Sequence, residues 1–191
     1  MTKASLRKKY KDNRLLLTQQ QKEKFADLVL INFQKIPLPF IDCVHTYIAA
    51  DILNEIDTTH ILKYLRFTNP GLTISVPKIN NGNGELDHYI FHDDIIMAIN
   101  SHGIAEPVQG ELVNVADIDL VLTPLLAFDV NGYRVGYGRG FYDKFLAQCR
   151  YNVIKVGLSF FEPEEAIEDV GQYDIPLNYC VTPGGVFDFN G

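Results

Sequence analysis

Long apolar runs are missing from this chain, and cysteine is scarce. No apolar stretch approaches the roughly 20 residues that a membrane-spanning helix needs, so no membrane segment is expected. The first residues, MTKASLRKKYKDNR, are basic and polar and lack the apolar core of a secretory signal. Cysteine occurs three times, at Cys43, Cys149 and Cys180, an odd number without metal-ligand spacing. These read as reduced thiols of a cytoplasmic protein. There is no internal repeat, long linker or low-complexity tract. What is present suits a folded globular domain. The 191 residues are 47% hydrophobic, with a mean hydropathy of -0.02, enough to bury a sizeable core in one domain spanning 1–191.

Basic charge is also in short supply. The net charge of -7 argues against a broad nucleic-acid surface. Its distribution is uneven, however. The first fourteen residues carry Lys3, Arg7, Lys8, Lys9, Lys11 and Arg14 against Asp12 alone, without the interleaved stacking aromatics of an RNA-binding arm. A local cationic cap for a small polyanion fits this pattern better.

Residues 3–35 read as two helices. Thr2 caps the first, and Thr18 with Gln21 forms a capping box for the second. Pro37 and Pro39 close this unit. Val44 to Ala49 is expected as a strand, Thr59 to Phe67 as a helix and Leu72 to Val76 as a strand. Asn80-Asn81-Gly82-Asn83-Gly84 makes a turn from which Leu86 to Phe91 returns as a hairpin strand. Ile118 to Leu122 and Val153 to Leu158 are buried strands flanking a helix from Gly140 to Cys149. Ala166 is placed in a short helix and Tyr179 to Thr182 in a late strand. Alternating strands and helices imply an α/β layered fold with a mainly parallel sheet.

The chemistry concentrates in LTPLLAFDVNGYRVGYGRGFYDKFLAQCR, residues 122–150. Gly136, Gly138 and Gly140 alternate between Arg134, Arg139, Phe141, Tyr142 and Asp143, where a strand passes through a loop into a helix. Three glycines in five residues build either a tight turn or a nest of backbone amides that binds an anion at a helix N-terminus. Neither P-loop nor dinucleotide-fingerprint spacing is present. Two guanidinium groups would complement phosphate oxygens. Asp143 serves either as a Mg²⁺ ligand or as a favourable charge in the first helical turn. The histidines His45, His60, His88, His92 and His102 show no ligand spacing, and the His88–His92 pair falls in an alternating, strand-like segment. Asp93-Asp94 starts a helix or turn. Glu106 borders a site or closes a loop.

The pattern AFD-x-x-G-x-R-x-G-x-G-x-G-x-YD, present as Ala127-Phe128-Asp129, Gly132, Arg134, Gly136, Gly138, Gly140 and Tyr142-Asp143, resembles the 5-formyltetrahydrofolate cyclo-ligase family. Lys3, Leu6 and Arg7, the segment Asn54-Glu55-Ile56-Asp57-Thr58, Val76-Pro77-Lys78, Gly103-Ile104-Ala105-Glu106-Pro107, Asp174 and Val181-Thr182 follow the family order, so the likeness runs through nearly the whole chain. The resemblance implies a three-layer α/β sandwich similar to sugar-phosphate isomerases and CoA transferases. It implies that ATP and 5-formyltetrahydrofolate are the ligands and 5,10-methenyltetrahydrofolate, ADP and phosphate the products, formed through phosphorylation of the formyl oxygen. By the same resemblance, Lys3 and Arg7 reach ATP, and Arg134, Val135, Gly136, Tyr137, Gly138, Arg139, Gly140, Phe141 and Tyr142 wrap the triphosphate. Asp143 and Asp174 hold Mg²⁺. Ala50 and Glu55 contact the folate, with Tyr137, Gly138, Arg139, Gly140 and Phe141 bordering both ligands. Arg139 and Tyr142 stand nearest the chemistry. A monomer or weak homodimer, with neither nucleic acid nor membrane as partner, completes the expectation. Two positions depart from the pattern: Tyr173 stands where the family often has histidine, and Asn178 where many members carry an acid. They keep open a non-catalytic folate- or nucleotide-binding relative as the alternative.

Overall fold

A computed structural model describes residues 1–101 and 103–190; His102, one of the histidines considered above, lies outside the described residues. The chain runs through α1 (Lys3–Leu15), α2 (Gln19–Phe33), β1 (Cys43–His45), α3 (Thr59–Thr68), β2 (Thr73–Asn80), β3 (Glu85–Ile90), β4 (Met97–Ile99), β5 (Ala105–Pro107), β6 (Leu120–Thr123), β7 (Ala127–Phe128), β8 (Arg134–Val135), α4 (Phe141–Gln148), β9 (Ile154–Leu158), β10 (Tyr179–Thr182) and β11 (Gly185–Asp188). The expected N-terminal signals operate. Thr2 accepts from the Ser5 amide, and Thr18 and Gln21 cap each other reciprocally at 3.2 and 2.9 Å.

Seven strands form the central sheet in the order β11-β10-β9-β6-β1-β2-β3. The inner pairings β10-β9, β9-β6, β6-β1 and β1-β2 are parallel, and β3 and β11 close the two edges antiparallel. A parallel strand is covered on both faces, which explains the unbroken apolar runs. Side chains alternate across the sheet. Leu120 and Leu122 join Val44, Ile74 and Val156 against Val29 and Phe33 of α2 and Ile61 and Leu65 of α3. Val121 and Cys43 turn to the opposite face and meet Phe145 and Leu146 of α4. The sheet is thus flanked by helices on both sides, as the alternation implied.

Several local expectations change, and the β4–β5 and β7–β8 pairs were not anticipated. β1 ends at His45 rather than Ala49, because the next residues leave the sheet. The Thr46 hydroxyl donates to the Tyr47 carbonyl, and the Tyr47 hydroxyl donates to the Ile56 carbonyl at 2.8 Å, turning the chain over the strand ends. Ala166 is not helical. Its neighbours are held extended against the β7–β8 hairpin, where the Glu164 amide donates to Phe128 and the Ile167 amide to the Asp129 carboxylate. Finally β11, absent from the reading above, returns antiparallel after Pro183-Gly184.

The β7–β8 hairpin sets the start of the glycine loop. Asp129, 1% exposed, accepts the amides of Asn131 and Tyr133 on Oδ1 and of Ile167 on Oδ2, each at 3.0 Å. Gly132 has φ +83°, and a Cβ there would stand 2.8 Å from the Phe189 ring. α1 lays Leu6 and Tyr10 against Leu126, Ala127 and Val135 of this hairpin. Its Lys3, Arg7, Lys11 and Arg14, spaced three and four apart, form an adjoining stripe.

Asp129 belongs to the motif but performs a structural task. Asp129→Ala is expected to lower stability by roughly 3 kcal/mol in urea unfolding, since three amides lose a charged acceptor. An unchanged midpoint contradicts that assignment.

Candidate active site

The basic stripe of α1, the loop after β8 and the chain leaving β1 enclose a cavity of ≈ 600 Å³, within the range of small-molecule sites. Lys3, Arg7, Glu55, Arg134, Gly136 to Asp143 and Asp174 all line it, so the structure gathers most of the residues singled out from the sequence. Two are off its wall. Val135 is fully buried among Leu6, Tyr10 and Ile167, facing away from the cavity. Ala50 is buried beside Glu55, where its amide donates to Glu55 Oε2 at 3.1 Å.

The loop is strapped from α1. Arg7 Nε donates to the Gly136 carbonyl at 2.9 Å. The guanidinium then lies against Gly138, whose φ is +95°; a Cβ there would approach Arg7 Nε to 3.3 Å. Glycine at 138 is therefore favoured by its backbone conformation, and a Cβ there would press on the Arg7 guanidinium. Gly140, left-handed at φ +70°, caps α4 and directs the helix's first amides and positive dipole end toward the loop.

Two ion pairs border the same wall. Arg134, which the sequence assigned to phosphate, spends both terminal nitrogens inside the protein. Nη2 donates to Asp143 Oδ1 at 2.9 Å, and Nη1 donates to the Ile175 carbonyl at 2.7 Å. Burial lowers its pKa while Asp143 opposes the shift. Lys3 pairs with Asp174 Oδ2, which also accepts the Gly171 amide at 2.5 Å. Burial pushes Asp174 up, but Lys3 and that amide outweigh it and hold its carboxyl below the usual value of 3.8. These contacts use one oxygen of each aspartate, so each has a second to offer. Among the described residues no group of three or more His, Cys, Asp or Glu side chains is gathered for a metal. Any ion here would therefore take one or two carboxylates and complete its shell from water and ligand oxygens, which is the habit of Mg²⁺.

Next to Gly136 in the loop, the Tyr137 hydroxyl donates to Glu55 Oε1 at 2.8 Å and accepts from Arg14 Nη1 at 2.9 Å. Arg14 also donates to the Leu53 and Leu125 carbonyls. Burial raises the Glu55 pKa, opposed by the Ala50 amide, Tyr137 and Arg14. Sequence reasoning grouped Lys11 and Arg14 in the cationic cap without placing them at this site, and it missed Tyr47. The regular spacing of Lys3, Arg7, Lys11 and Arg14 was a signal for Lys11 and Arg14; nothing local marked Tyr47. Glu106 lines the cavity, and rather than closing a loop it sits in β5 and accepts the Ile79 amide of β2 at 3.0 Å.

Residues 1–183 match the 5-formyltetrahydrofolate cyclo-ligase family. A 5-formyltetrahydrofolate cyclo-ligase of Escherichia coli is 28% identical over 182 residues, covering 92% of this chain and 97% of its own. The solved structure of Aquifex aeolicus 5,10-methenyltetrahydrofolate synthetase superposes with a TM-score of 0.74 at 28% identity, covering 100% of this chain and 94% of that one. A Mycoplasma pneumoniae 5,10-methenyltetrahydrofolate synthetase shares the fold with the same score of 0.74, at 21% identity, over 96% of this chain and 99% of its own.

The depressed carboxyl of Asp174 makes the Lys3 pair pH-dependent. Its stabilisation is present above the unfolded aspartate pKa and is lost as pH falls through the lower folded value. Melting of the unaltered protein is thus expected to exceed that of Lys3→Met most at neutral pH, and the gap to close as pH drops below 3.8. A gap that stays constant across this range contradicts the pairing.

Proposed function

The chain belongs to the 5-formyltetrahydrofolate cyclo-ligase family, and from that premise we propose how its cavity works. The reaction is the ATP-dependent cyclisation of 5-formyltetrahydrofolate to 5,10-methenyltetrahydrofolate, with release of ADP and phosphate. The observation that carries the proposal is the position of the glycine loop. Its backbone is held by the cationic stripe of α1 through Arg7 at Gly136, and the side chain of the next residue, Tyr137, reaches across to Glu55. One short ribbon can therefore border a polyanion and a second ligand together.

In this reading the triphosphate lies along Gly136 to Gly140, with Lys3, Arg7 and Arg139 supplying positive charge and the start of α4 supplying amides. The folate lies toward Glu55, Tyr137 and Phe141. Glu55 is poised as an acceptor for ring N–H groups, since its carboxylate is buried and already oriented by Ala50 and Tyr137. The formyl oxygen attacks the γ-phosphorus, and the bond from that phosphorus to the ADP oxygen breaks. The resulting O-phosphorylated iminium is attacked at carbon by N10. The carbon–oxygen bond then breaks, phosphate leaves, and the N10 proton is lost to solvent. No side chain becomes covalently modified. The protein aligns two ligands and neutralises charge, as is usual in phosphoryl transfer.

Asp143 and Asp174 would hold Mg²⁺, with Arg134 keeping its own bond to Asp143 Oδ1. When bound, the ion screens the triphosphate and polarises its terminal group. Arg134 then acts as an anchor that fixes the Asp143 carboxylate rather than as a phosphate clamp. The same reading takes the chain as a single catalytic domain working as a monomer or weak homodimer. No helix among the described residues is long and apolar enough to cross a membrane.

The direct test supplies Mg²⁺, ATP and 5-formyltetrahydrofolate labelled with ¹⁸O in the formyl group. Appearance of the methenyl chromophore with the label in released phosphate is expected. Binding without product would favour the non-catalytic alternative, and unlabelled phosphate would reject phosphorylation of the formyl oxygen. In single-turnover assays Arg139→Ala is expected to slow product formation about 100-fold. A full rate would remove Arg139 from the charge-stabilising set.

A further inference from the structure

Tyr142, on the cavity wall, has a polar backing buried in the core. His45 ends β1 and His88 lies on β3, with β2 between them in the sheet. Both rings are buried, at 0% and 4% exposure, and their Nδ1 atoms face each other at 3.3 Å. β2 adds Ser75, whose Oγ is 3.1 Å from His45 Nδ1. The other ring nitrogen, His45 Nε2, lies 3.4 Å from the Tyr142 hydroxyl. Phe145 packs on both imidazoles, with ring centroids 4.7 and 4.1 Å away, and closes the cluster on the α4 side.

Burial keeps the two imidazoles neutral, the His88 pKa falling to about 4 and that of His45 lower than its usual value as well. A neutral imidazole has one N–H and one lone pair. Two Nδ1 atoms in contact are compatible with one proton between them, not with two. If His45 carried that proton, its Nε2 would be an acceptor and would draw the Tyr142 hydroxyl proton inward, away from the cavity. If His88 carries it, His45 is protonated on Nε2 and donates to the Tyr142 oxygen, and the phenol proton points outward. The Ser75 hydroxyl can satisfy either arrangement. A cavity that receives phosphoryl and formyl oxygens presents acceptors, so it selects the second arrangement.

We propose that His45 is a positioning residue: protonated on Nε2 and backed by His88 and Ser75, it fixes the Tyr142 hydroxyl as a hydrogen-bond donor aimed at the reacting oxygens. No proton changes owner; the network sets a direction. This rests on the cyclisation reading above, which supplies the acceptors that select the tautomer, while the tautomer is measured separately from turnover.

The first test is the ¹⁵N NMR spectrum of the unaltered protein labelled at histidine ring nitrogens. Protonated Nε2 with unprotonated Nδ1 is expected at His45, and the opposite tautomer overturns the proposal. The second is a mutant cycle read by single turnover. His45→Leu is expected to slow the chemical step about tenfold with KM for both ligands changed less than about twofold. In a Tyr142→Phe background the same change is expected to cost nothing further. His45→Gln, which can return an amide N–H near the Nε2 position, should recover part of the rate. A normal rate for His45→Leu, or losses that multiply in the double variant, overturns the proposal. If His45→Leu does not fold, the tautomer measurement decides alone. An unaltered protein that makes no methenyl product would reject the cyclisation reading while leaving the tautomer to be judged by its own spectrum.

Discussion

The cavity depends on one buried guanidinium. Arg134 is 7% exposed and joins three parts of the chain: its own strand β8, the first turn of α4 through Asp143, and the C-terminal segment through the Ile175 carbonyl. Leaving a guanidinium this buried without its carboxylate costs roughly 3–5 kcal/mol. The five residues between β8 and α4 are therefore fixed at both ends by an interaction the chain cannot cheaply give up. Their own glycines make them pliable, yet their end points are rigid. A ribbon pinned in this way can adjust to a polyanion without its supports moving.

Around that anchor the motif divides its labour. Asp129 and Gly132 shape the hairpin below the loop, and neither lines the cavity. Gly136 to Tyr142 line it. Arg7 straps the loop from outside, and the space for that strap exists because residue 138 has no side chain. α1 thus contributes to both kinds of work. Leu6 and Tyr10 seat it on the hairpin, and Lys3, Arg7 and Lys11 line the cavity.

Much of this was legible in the sequence because it depended on local signals. The caps at Thr2 and Thr18, the apolar runs of β6 and β9, and the glycine spacing each announce themselves within a few residues. The likeness to cyclo-ligases came from the long motif and was matched by the family comparison. What escaped was set by partners far along the chain. Arg134 was assigned to phosphate, and its bonds to Asp143 and the Ile175 carbonyl carried no local signal. Arg14 was read as part of a cationic cap, although it is buried and reaches Leu53, Leu125 and Tyr137. His45 and His88 are 43 positions apart and meet because β1 and β3 flank the same strand. Ala166 carries helix propensity, but its segment is extended because Asp129 and Phe128 claim the neighbouring amides.

The central claim is that a ribbon anchored at both ends receives the triphosphate. Hydrogen exchange at the backbone amides of residues 136–142, with and without ATP and Mg²⁺, tests it most directly. The account expects these amides to exchange freely without nucleotide and to slow when it is added. The amides of Asn131 and Tyr133, already held by Asp129, should be slow in both conditions. Exchange across 136–142 that is indifferent to nucleotide would contradict the account.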